Sequence, residues 1–232
     1  MNSTKSFSGK FLYALALSAG LLSLTGCVTQ PTKPDQSALV AAAPRSILIV
    51  PTINRSLDVD APNYVLASLP IPIAERGYYV FPVNTTKFVL EQEGFYEADR
   101  IHEQPPESLA KLFGTDAILY VAIKQWDAKF AVFTTVVTVD FDYRLVSKNG
   151  VELWRDNKRM QYQPQNNNNA MSPMAALVTA AINAAVTRAA PNYMPLTQQA
   201  NQEVFVTGPN ALPNGPYRIG DLNKKKSVRN LL

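Results

Sequence analysis

The 232 residues include 22 Lys and Arg against 18 Asp and Glu, with one His and one Cys. A single cysteine excludes an internal disulfide, and so few Cys and His residues exclude a zinc site of the usual kind. The net positive charge is concentrated in the C-terminal segment 218–232, so the body offers no basic stripe for nucleic acid, which is not expected as a partner.

The N-terminus has the pattern of a bacterial lipoprotein precursor. Two lysines precede an apolar run over 11–22, whose 12 residues fall short of the roughly 20 needed by a membrane-spanning helix. Small residues then precede a cysteine, which lets a peptidase cut there while the thiol takes a diacylglycerol. The residues concerned are Leu24, Thr25, Gly26 and Cys27. The sequence predicts a signal peptide at 1–26 and lipidation of Cys27 with a diacylglycerol and an N-acyl chain, and it predicts no other cofactor.

The residues after Cys27 bear on location. Two or three acyl chains hold a protein firmly, because each buried methylene contributes about 0.8 kcal/mol. Val28, in place of Asp, is typical of lipoproteins sorted to the outer membrane, and we expect the chain to face the periplasm there. The stretch 27–44 is rich in Thr, Pro, Gln and Ala, so it is predicted to be a flexible tether.

The body, 45–207, is predicted to be a single α/β domain, followed by a Pro/Gly-rich and then basic tail at 208–232. Its first half alternates short apolar, β-branched runs with helical patterns bounded by Pro and Gly. Strands are predicted at 46–50, 78–81 and 117–123, and helices at 63–69, 85–93 and 107–113.

The second half predicts a long β-hairpin. Apolar and polar residues alternate over 135–145, as in a strand with one wet face, and Asn149-Gly150 predicts a type I′ turn into a strand over 151–162. A helix with an apolar stripe is predicted from Ser172 to Pro191. The expected fold class is therefore α/β (α+β), a mixed sheet with a long hairpin and packing helices.

Three sequence phrases resemble those of a family of bacterial lipoproteins of unassigned function. They are Gly77–Val83 (GYYVFPV), Gly114–Tyr120 (GTDAILY) and Gly150–Trp154 (GVELW). That family is similar in fold to the periplasmic domain of the curli-secretion lipoprotein CsgG and to the N-terminal domain of TolB. The resemblance implies a sandwich of that kind and a role in envelope assembly or secretion beside CsgG-like lipoproteins. It also leaves open a ring-like homo-oligomer.

No catalytic or metal-binding constellation is evident. His102 is expected on a surface loop, structural or solvated, rather than as a general base. Asp140 and Asp142 are neighbours on one strand face and could bind a cation or do acid–base work. We favour the solvated face of an edge strand, which discourages unwanted strand pairing, with Arg144 available to pair with Asp142.

Strand aromatic residues could form a recognition patch: Tyr78, Tyr79, Phe81, Trp126 and Trp154. Four of them are the candidates for an interaction surface: Tyr78, Tyr79, Trp126 and Trp154. Strand aromatics are more often core, but adjacent strand residues face opposite ways, so one of the two tyrosines should point away from the main core. The favoured function is a membrane-anchored, non-catalytic interaction module with other envelope lipoproteins as partners. The alternatives are a periplasmic small-molecule or glycan binder with a cleft near the hairpin, or a surface-exposed antigen.

Overall fold

A computed structural model describes residues 34–131, 134–162 and 193–218 of the chain. They form a mixed sheet with helices on both faces, which confirms the predicted fold class. The strands are β1 (Ser46–Ile49), β2 (Ile53–Asn54), β3 (Tyr79–Val80), β4 (Ala117–Ala131), β5 (Thr134–Ser147) and β6 (Glu152–Tyr162). The helices are α1 (Ser37–Ala42), α2 (Ala61–Ser68), α3 (Pro70–Glu75), α4 (Val83–Gln92), α5 (Ala98–His102), α6 (Pro106–Phe113) and α7 (Met194–Gln202), which continues as a π-helical turn at Glu203–Thr207.

The strand order is β3–β1–β4–β5–β6, with β2 pairing to β4 beyond the end of β1. β1 is parallel to both of its neighbours, whereas β4, β5 and β6 are antiparallel. Parallel neighbours need crossover connections, and the helices supply them. α2 and α3 lead to β3 over one face, and α4, α5 and α6 lead to β4 over the other.

The two faces of β1 explain why its sequence is apolar at every buried position. Ile47 and Ile49 point into the larger core with α2, α3 and α7. Leu48 and Val50 point into the smaller core with α4, α5 and α6. A strand covered on both faces needs a continuous apolar run, which is why this pattern was readable from the sequence.

β4 is much longer than the predicted strand at 117–123. The register with β5 shifts between Ile123 and Gln125, which is a β-bulge. Ile123 and Trp126 are both buried in the same core, although they are three positions apart and would face opposite sides of a regular strand. The bulge therefore shifts the phase of the alternation, so the second half of the strand does not continue the pattern of the first half.

Both ends of the domain reach beyond the predicted limits of 45–207. α1 lies within the expected tether, and its Leu39 is buried. Leu212, in the expected tail, is also buried. The amide of Gln36 donates to the carbonyl of Ala211 over 2.9 Å, so the two terminal segments hold each other against the sheet. Neither leucine belongs to a periodic apolar pattern long enough to predict a core element, and only the tertiary contact makes them core.

Two local predictions differ from the structure. α2 ends at Ser68, just before Pro70, as expected, but Pro70 also begins a new helix, α3, because proline is well accommodated at a first helical position. The hairpin turn is where Asn149-Gly150 predicts it, but only Gly150 has a positive φ, of 81°. Ser147 N–H bonds to the carbonyl of Val151 over 2.8 Å, so a three-residue loop with a left-handed glycine replaces the type I′ turn.

Several predictions concern residues outside the described ranges. They are the signal peptide at 1–26, the lipidation of Cys27, the helix at 172–191 and the basic part of the tail beyond Arg218. Within 34–131, 134–162 and 193–218, no helix has the length and apolar character to cross a bilayer.

Candidate interaction surface

Of the four candidate aromatic residues, Tyr79 alone is well exposed. Its side chain is 52% exposed, against 5% or less for Tyr78, Trp126 and Trp154. The expectation that one of the two adjacent tyrosines points away from the core is confirmed. Burial removes the other three rings from the surface on which a partner could bind.

Tyr79 lies on an open edge of the sheet. β3 is the terminal strand, paired with β1 on one side only. Tyr79 N–H bonds to the carbonyl of Arg45 over 3.0 Å, and Phe81 N–H bonds to that of Ile47 over 3.4 Å. Because alternate residues of a strand direct their N–H and C=O groups to opposite sides, Val80 presents both groups outward. No described strand pairs with that side.

An aromatic row flanks this edge. The rings of Tyr79 and Phe81 meet edge to face with centroids 5.1 Å apart, and Phe81 meets Phe113 in the same way at 6.2 Å. Phe81 and Phe113 pack against the smaller core, so the row has a fixed base and an exposed tip at Tyr79. Rigid aromatic side chains bind partners well, because they bury a large area at a low entropic cost. Phe113 was not among the candidate aromatic residues, since only the fold brings α6 beside β3.

Tyr78 and Trp154 hold the C-terminal segment instead. The hydroxyl of Tyr78 donates to the carbonyl of Pro213 over 3.0 Å, and the indole N–H of Trp154 donates to that of Asn210 over 2.7 Å. Burial raises the pKa of Tyr78 to about 12, so its hydroxyl remains a donor across the physiological range. Their role is to attach residues 210–213 to the sheet.

Trp126 is the centre of a second aromatic cluster. Its ring stacks on Tyr193 at 4.6 Å and on Tyr64 at 5.9 Å, and its indole N–H donates to Asp58 Oδ2 over 3.1 Å. Burial first, and then the nearby carboxylates of Asp58 and Asp127, raise the pKa of Tyr193 to about 12. This cluster ties α7, α2 and the loop before α2 to the far half of β4.

Asp140 and Asp142 are neutralised by residues of adjacent strands. Asp142 pairs with Lys124 at 3.6 Å, and Asp140 pairs with Arg159 at 3.9 Å. The prediction that Arg144 pairs with Asp142 is wrong: Arg144 lies over the ring of Tyr120, 4.9 Å from its centroid. The register places these two residues directly opposite each other, which decides the partner. The expectation of an edge strand is wrong, because β5 pairs with β4 on one side and with β6 on the other. The two carboxylates are partly exposed and face cations of those neighbouring strands.

His102 occupies the last position of α5 and is partly buried, not on a surface loop as predicted. Its Nε2–H donates to the carbonyl of Pro51 over 2.9 Å, and its ring meets Tyr120 edge to face at 5.0 Å. Burial is the main reason that its pKa is lowered. Its structural role is to connect α5 to the end of β1.

Among the described residues, no group of three or more His, Cys, Asp or Glu side chains converges as metal ligands would. A surface pocket (hereafter the hollow) of about 390 Å³ lies beside the hairpin turn, where a small-molecule or glycan binder was expected to have its cleft. Its polar lining includes Arg45, Asp116 and Lys148. Asp116 accepts the backbone N–H of Arg45 at 3.0 Å and faces Lys148 at 3.5 Å, so these groups already satisfy one another.

Comparison with known proteins places the chain among lipoproteins. A family profile described as "Putative lipoprotein GNA1162-like" matches residues 34–217. "Putative lipoprotein NMB1124/NMB1162" of Neisseria meningitidis serogroup B is 36% identical over 167 residues, which cover 71% of this chain and 77% of that protein.

Solved structures are also similar. The crystal structure of lipoprotein GNA1162 from Neisseria meningitidis is 35% identical, with a TM-score of 0.53, and covers 62% of this chain and 100% of its own. A PelC dodecamer from Paraburkholderia phytofirmans is 12% identical with a TM-score of 0.43, covering 72% of this chain and 89% of its own. The latter score is too low to carry any argument about assembly. The relation to CsgG and TolB is not supported by these matches and stays a prediction.

Proposed function

The chain belongs to the GNA1162-like family of lipoproteins, and on that premise we propose that it is a membrane-anchored, non-catalytic interaction module of the cell envelope. In this proposal it docks another envelope protein along the open edge of β3 during assembly or secretion. The motif resemblance suggests a CsgG-like lipoprotein as the partner.

The anchor in this proposal is Cys27, cut from the signal peptide and acylated. Two or three chains suffice for stable attachment, and Val28 favours the outer membrane with the domain facing the periplasm. Metabolic labelling with a palmitate analogue tests this directly: the wild type should be labelled and the Cys27→Ala variant should not. Label retained in the variant would overturn the assignment.

The observation that carries the docking proposal is the outward-facing backbone of Val80, which pairs with no described strand, beside the exposed ring of Tyr79. An extended segment of a partner can add to a sheet edge through main-chain hydrogen bonds, while side-chain contacts supply the specificity. Here the aromatic row of Tyr79, Phe81 and Phe113 would supply those contacts. Main-chain hydrogen bonds allow an edge strand to bind many different sequences, so the exposed ring of Tyr79 is the element that selects the partner.

The test is a tagged purification from detergent-solubilised membranes with four forms of the full chain: wild type, Cys27→Ala, Tyr79→Arg and Tyr96→Arg. Tyr96 is 75% exposed and takes no part in the aromatic row, so it is the matched surface control. We expect defined envelope proteins with the wild type and with Tyr96→Arg. They should be lost from Tyr79→Arg and from the unlipidated form.

Two results would contradict the proposal. One is a wild-type chain that purifies alone and monomeric. The other is a Tyr79→Arg form that retains every partner. Light scattering on the same samples detects a homo-oligomer, which would make a second copy the occupant of the edge.

A small-molecule or glycan binder is the second candidate, favoured by the hollow beside the hairpin turn. Its size of about 390 Å³ is within the range of ligand sites, roughly 300–1,000 Å³. Thermal stabilisation by cell-wall fragments, lost in a Lys148→Ala variant, would support it. A melting temperature unchanged across such fragments would remove it.

A further inference from the structure

The loop between β2 and α2, residues 55–60, holds two apolar side chains in solvent. Leu57 is 101% exposed and Val59 is 84% exposed. Single exposed aliphatic residues are ordinary on protein surfaces. Two of them alternating with aspartates in one short loop form a surface feature that needs an explanation.

The loop is held in one conformation by its own polar groups. The amide of Asn54 donates to the carbonyl of Asp58 over 2.8 Å, and its oxygen accepts the backbone N–H of Ser56 over 3.0 Å. Asp58 Oδ1 accepts the backbone N–H of Asp60 over 2.9 Å. Side-chain bonds of this kind stabilise turns, so the loop loses little conformational freedom when it binds.

Trp126 determines which way the loop faces. Its indole N–H binds Asp58 Oδ2 over 3.1 Å, which turns the Asp58 side chain toward β4. The two neighbouring side chains, Leu57 and Val59, consequently point away from the domain. The exposed pair is a result of the way the loop is attached.

The surroundings of the pair are acidic. Asp58, Asp60 and Asp127 form no ion pair with any described side chain, whereas Arg55, the cation of the loop, is paired with Asp99. An apolar centre with uncompensated carboxylates around it fits a surface of opposite charge. It does not fit the phosphate-bearing surface of a bilayer, which would repel the carboxylates.

We propose that the 55–60 loop inserts Leu57 and Val59 into an apolar pocket on a partner protein, and that Lys and Arg residues surround this pocket. The pair fills the pocket, and the exposed carboxylate of Asp60 meets the basic rim. Asp58 and Asp127 are bonded to Trp126 and Gln125, and they add negative charge to this side of the domain. Buried apolar anchors within a polar rim are the usual arrangement of a protein interface.

This contact is separate from the edge of β3. Val80 pairs with Ile47, which pairs with Ala117 at the start of β4. Trp126 lies nine positions further along that strand, so the loop and the edge are roughly 25–30 Å apart along the strand direction, at about 3.3 Å per residue. The inference goes beyond the proposed function, and either docking site can fail without the other.

The test places a photo-crosslinking benzoylphenylalanine at position 57 or 59 of the full, lipidated chain in growing cells. Position 151 is the control, because Val151 is 56% exposed but lies at the hairpin turn. We expect one defined protein adduct from positions 57 and 59 and none of the same mass from 151. Mass spectrometry of the adduct should place the crosslink on an apolar partner peptide with Lys or Arg within a few residues.

Charge reversal provides a second measurement. Asp60→Lys, combined with the probe at 57, should lower the adduct yield by about fivefold or more, because like charges then meet at the rim. Asp60→Asn should lower it less. Since Asp60 is exposed and the probe positions are on the surface, melting temperatures should remain close to that of the wild type.

Any of the following results would overturn the proposal. The first is the absence of a protein adduct at both positions. The second is a crosslink to lipid, to a second copy of the chain or to residues of the same chain. The third is a partner peptide that is acidic. An adduct yield unaffected by Asp60→Lys would overturn the charge matching. A Tyr79→Arg form tested in parallel that loses its edge-bound partner but keeps the adduct shows that the two sites are independent.

Discussion

Trp126 donates its indole N–H to Asp58 across 68 residues of sequence, and this 3.1 Å bond connects the far half of β4 to the loop before α2. The same ring stacks on Tyr193 at the start of α7. One buried side chain thus positions three segments that are distant in the chain. The exposed pair Leu57 and Val59 depends on this arrangement, so the bond is the first contact to test.

Replacing Trp126 with Phe keeps an aromatic ring but removes the donor to Asp58. We expect a loss of about 1–2 kcal/mol in the free energy of unfolding, measured in urea, because a bond to a charged acceptor is lost. Amide exchange in residues 55–60 should also become faster. Trp154→Phe, which loses the bond to Asn210, is the control and should leave exchange in that loop unchanged. Equal rates of amide exchange in residues 55–60 of Trp126→Phe and Trp154→Phe would contradict this prediction.

Truncation tests the C-terminal limit of the domain. A chain ending at Thr207 loses the buried Leu212 and leaves Tyr78 and Trp154 without their carbonyl acceptors. We expect it to be at least about 3 kcal/mol less stable than the full chain, by analogy with the loss of a buried leucine. A chain ending at Arg218 should unfold at nearly the same denaturant concentration as the full chain. If both truncations behave alike, residues 208–218 do not belong to the folded unit.

Two glycines allow a matched comparison at positive φ. Gly77 has φ 91° and Gly94 has φ 86°, so alanine is strained at both. At Gly94 an added Cβ meets nothing within 4 Å, whereas at Gly77 it would overlap the backbone of Arg218. Gly94→Ala should cost about 1 kcal/mol, and Gly77→Ala should cost at least about 1 kcal/mol more. Equal losses in thermal or urea unfolding would show that the C-terminal segment does not pack against Gly77.

His102 should make stability depend on pH in the mildly acidic range. Burial lowers its pKa in the folded state, with Arg144 and Arg55 adding repulsion and the bond to Pro51 and the charge of Asp99 opposing it. The unfolded chain, with a histidine pKa near 6.5, then binds the proton more readily. The stabilisation is complete above about pH 6.5 and decreases as the pH falls through the folded-state pKa.

The measurement is the melting temperature between pH 7.5 and 5.5 for the wild type and for His102→Gln, whose amide can still donate to the Pro51 carbonyl. The wild type should lose stability toward pH 5.5, and the variant should lose less. Parallel curves for the two proteins would show that another group is responsible.

The sequence was sufficient wherever burial follows a local period. β1 is readable because both of its faces are covered, and β5 is readable because Val137, Val139 and Phe141 alternate with polar residues toward one core. α6 ends at Gly114, whose φ of 70° is the left-handed value that glycine adopts without strain. The exposure of Tyr79 followed from the same alternation.

The tertiary structure alone decided which residues meet across long separations. Leu39 lies in a short Ala-rich run and Leu212 next to Pro213, and neither belongs to a periodic apolar pattern. They are core because the fold brings Gln36 and Ala211, 175 positions apart, together. Because of the bulge after Ile123, the full length of β4 could not be predicted from alternation. The strand register places Arg144 opposite Tyr120, so Arg144 packs on that ring and does not pair with Asp142. Local patterns report the period of burial, whereas register and docking depend on free energies shared between distant segments. The open edge of β3 and the exposed pair in the 55–60 loop are of this second kind.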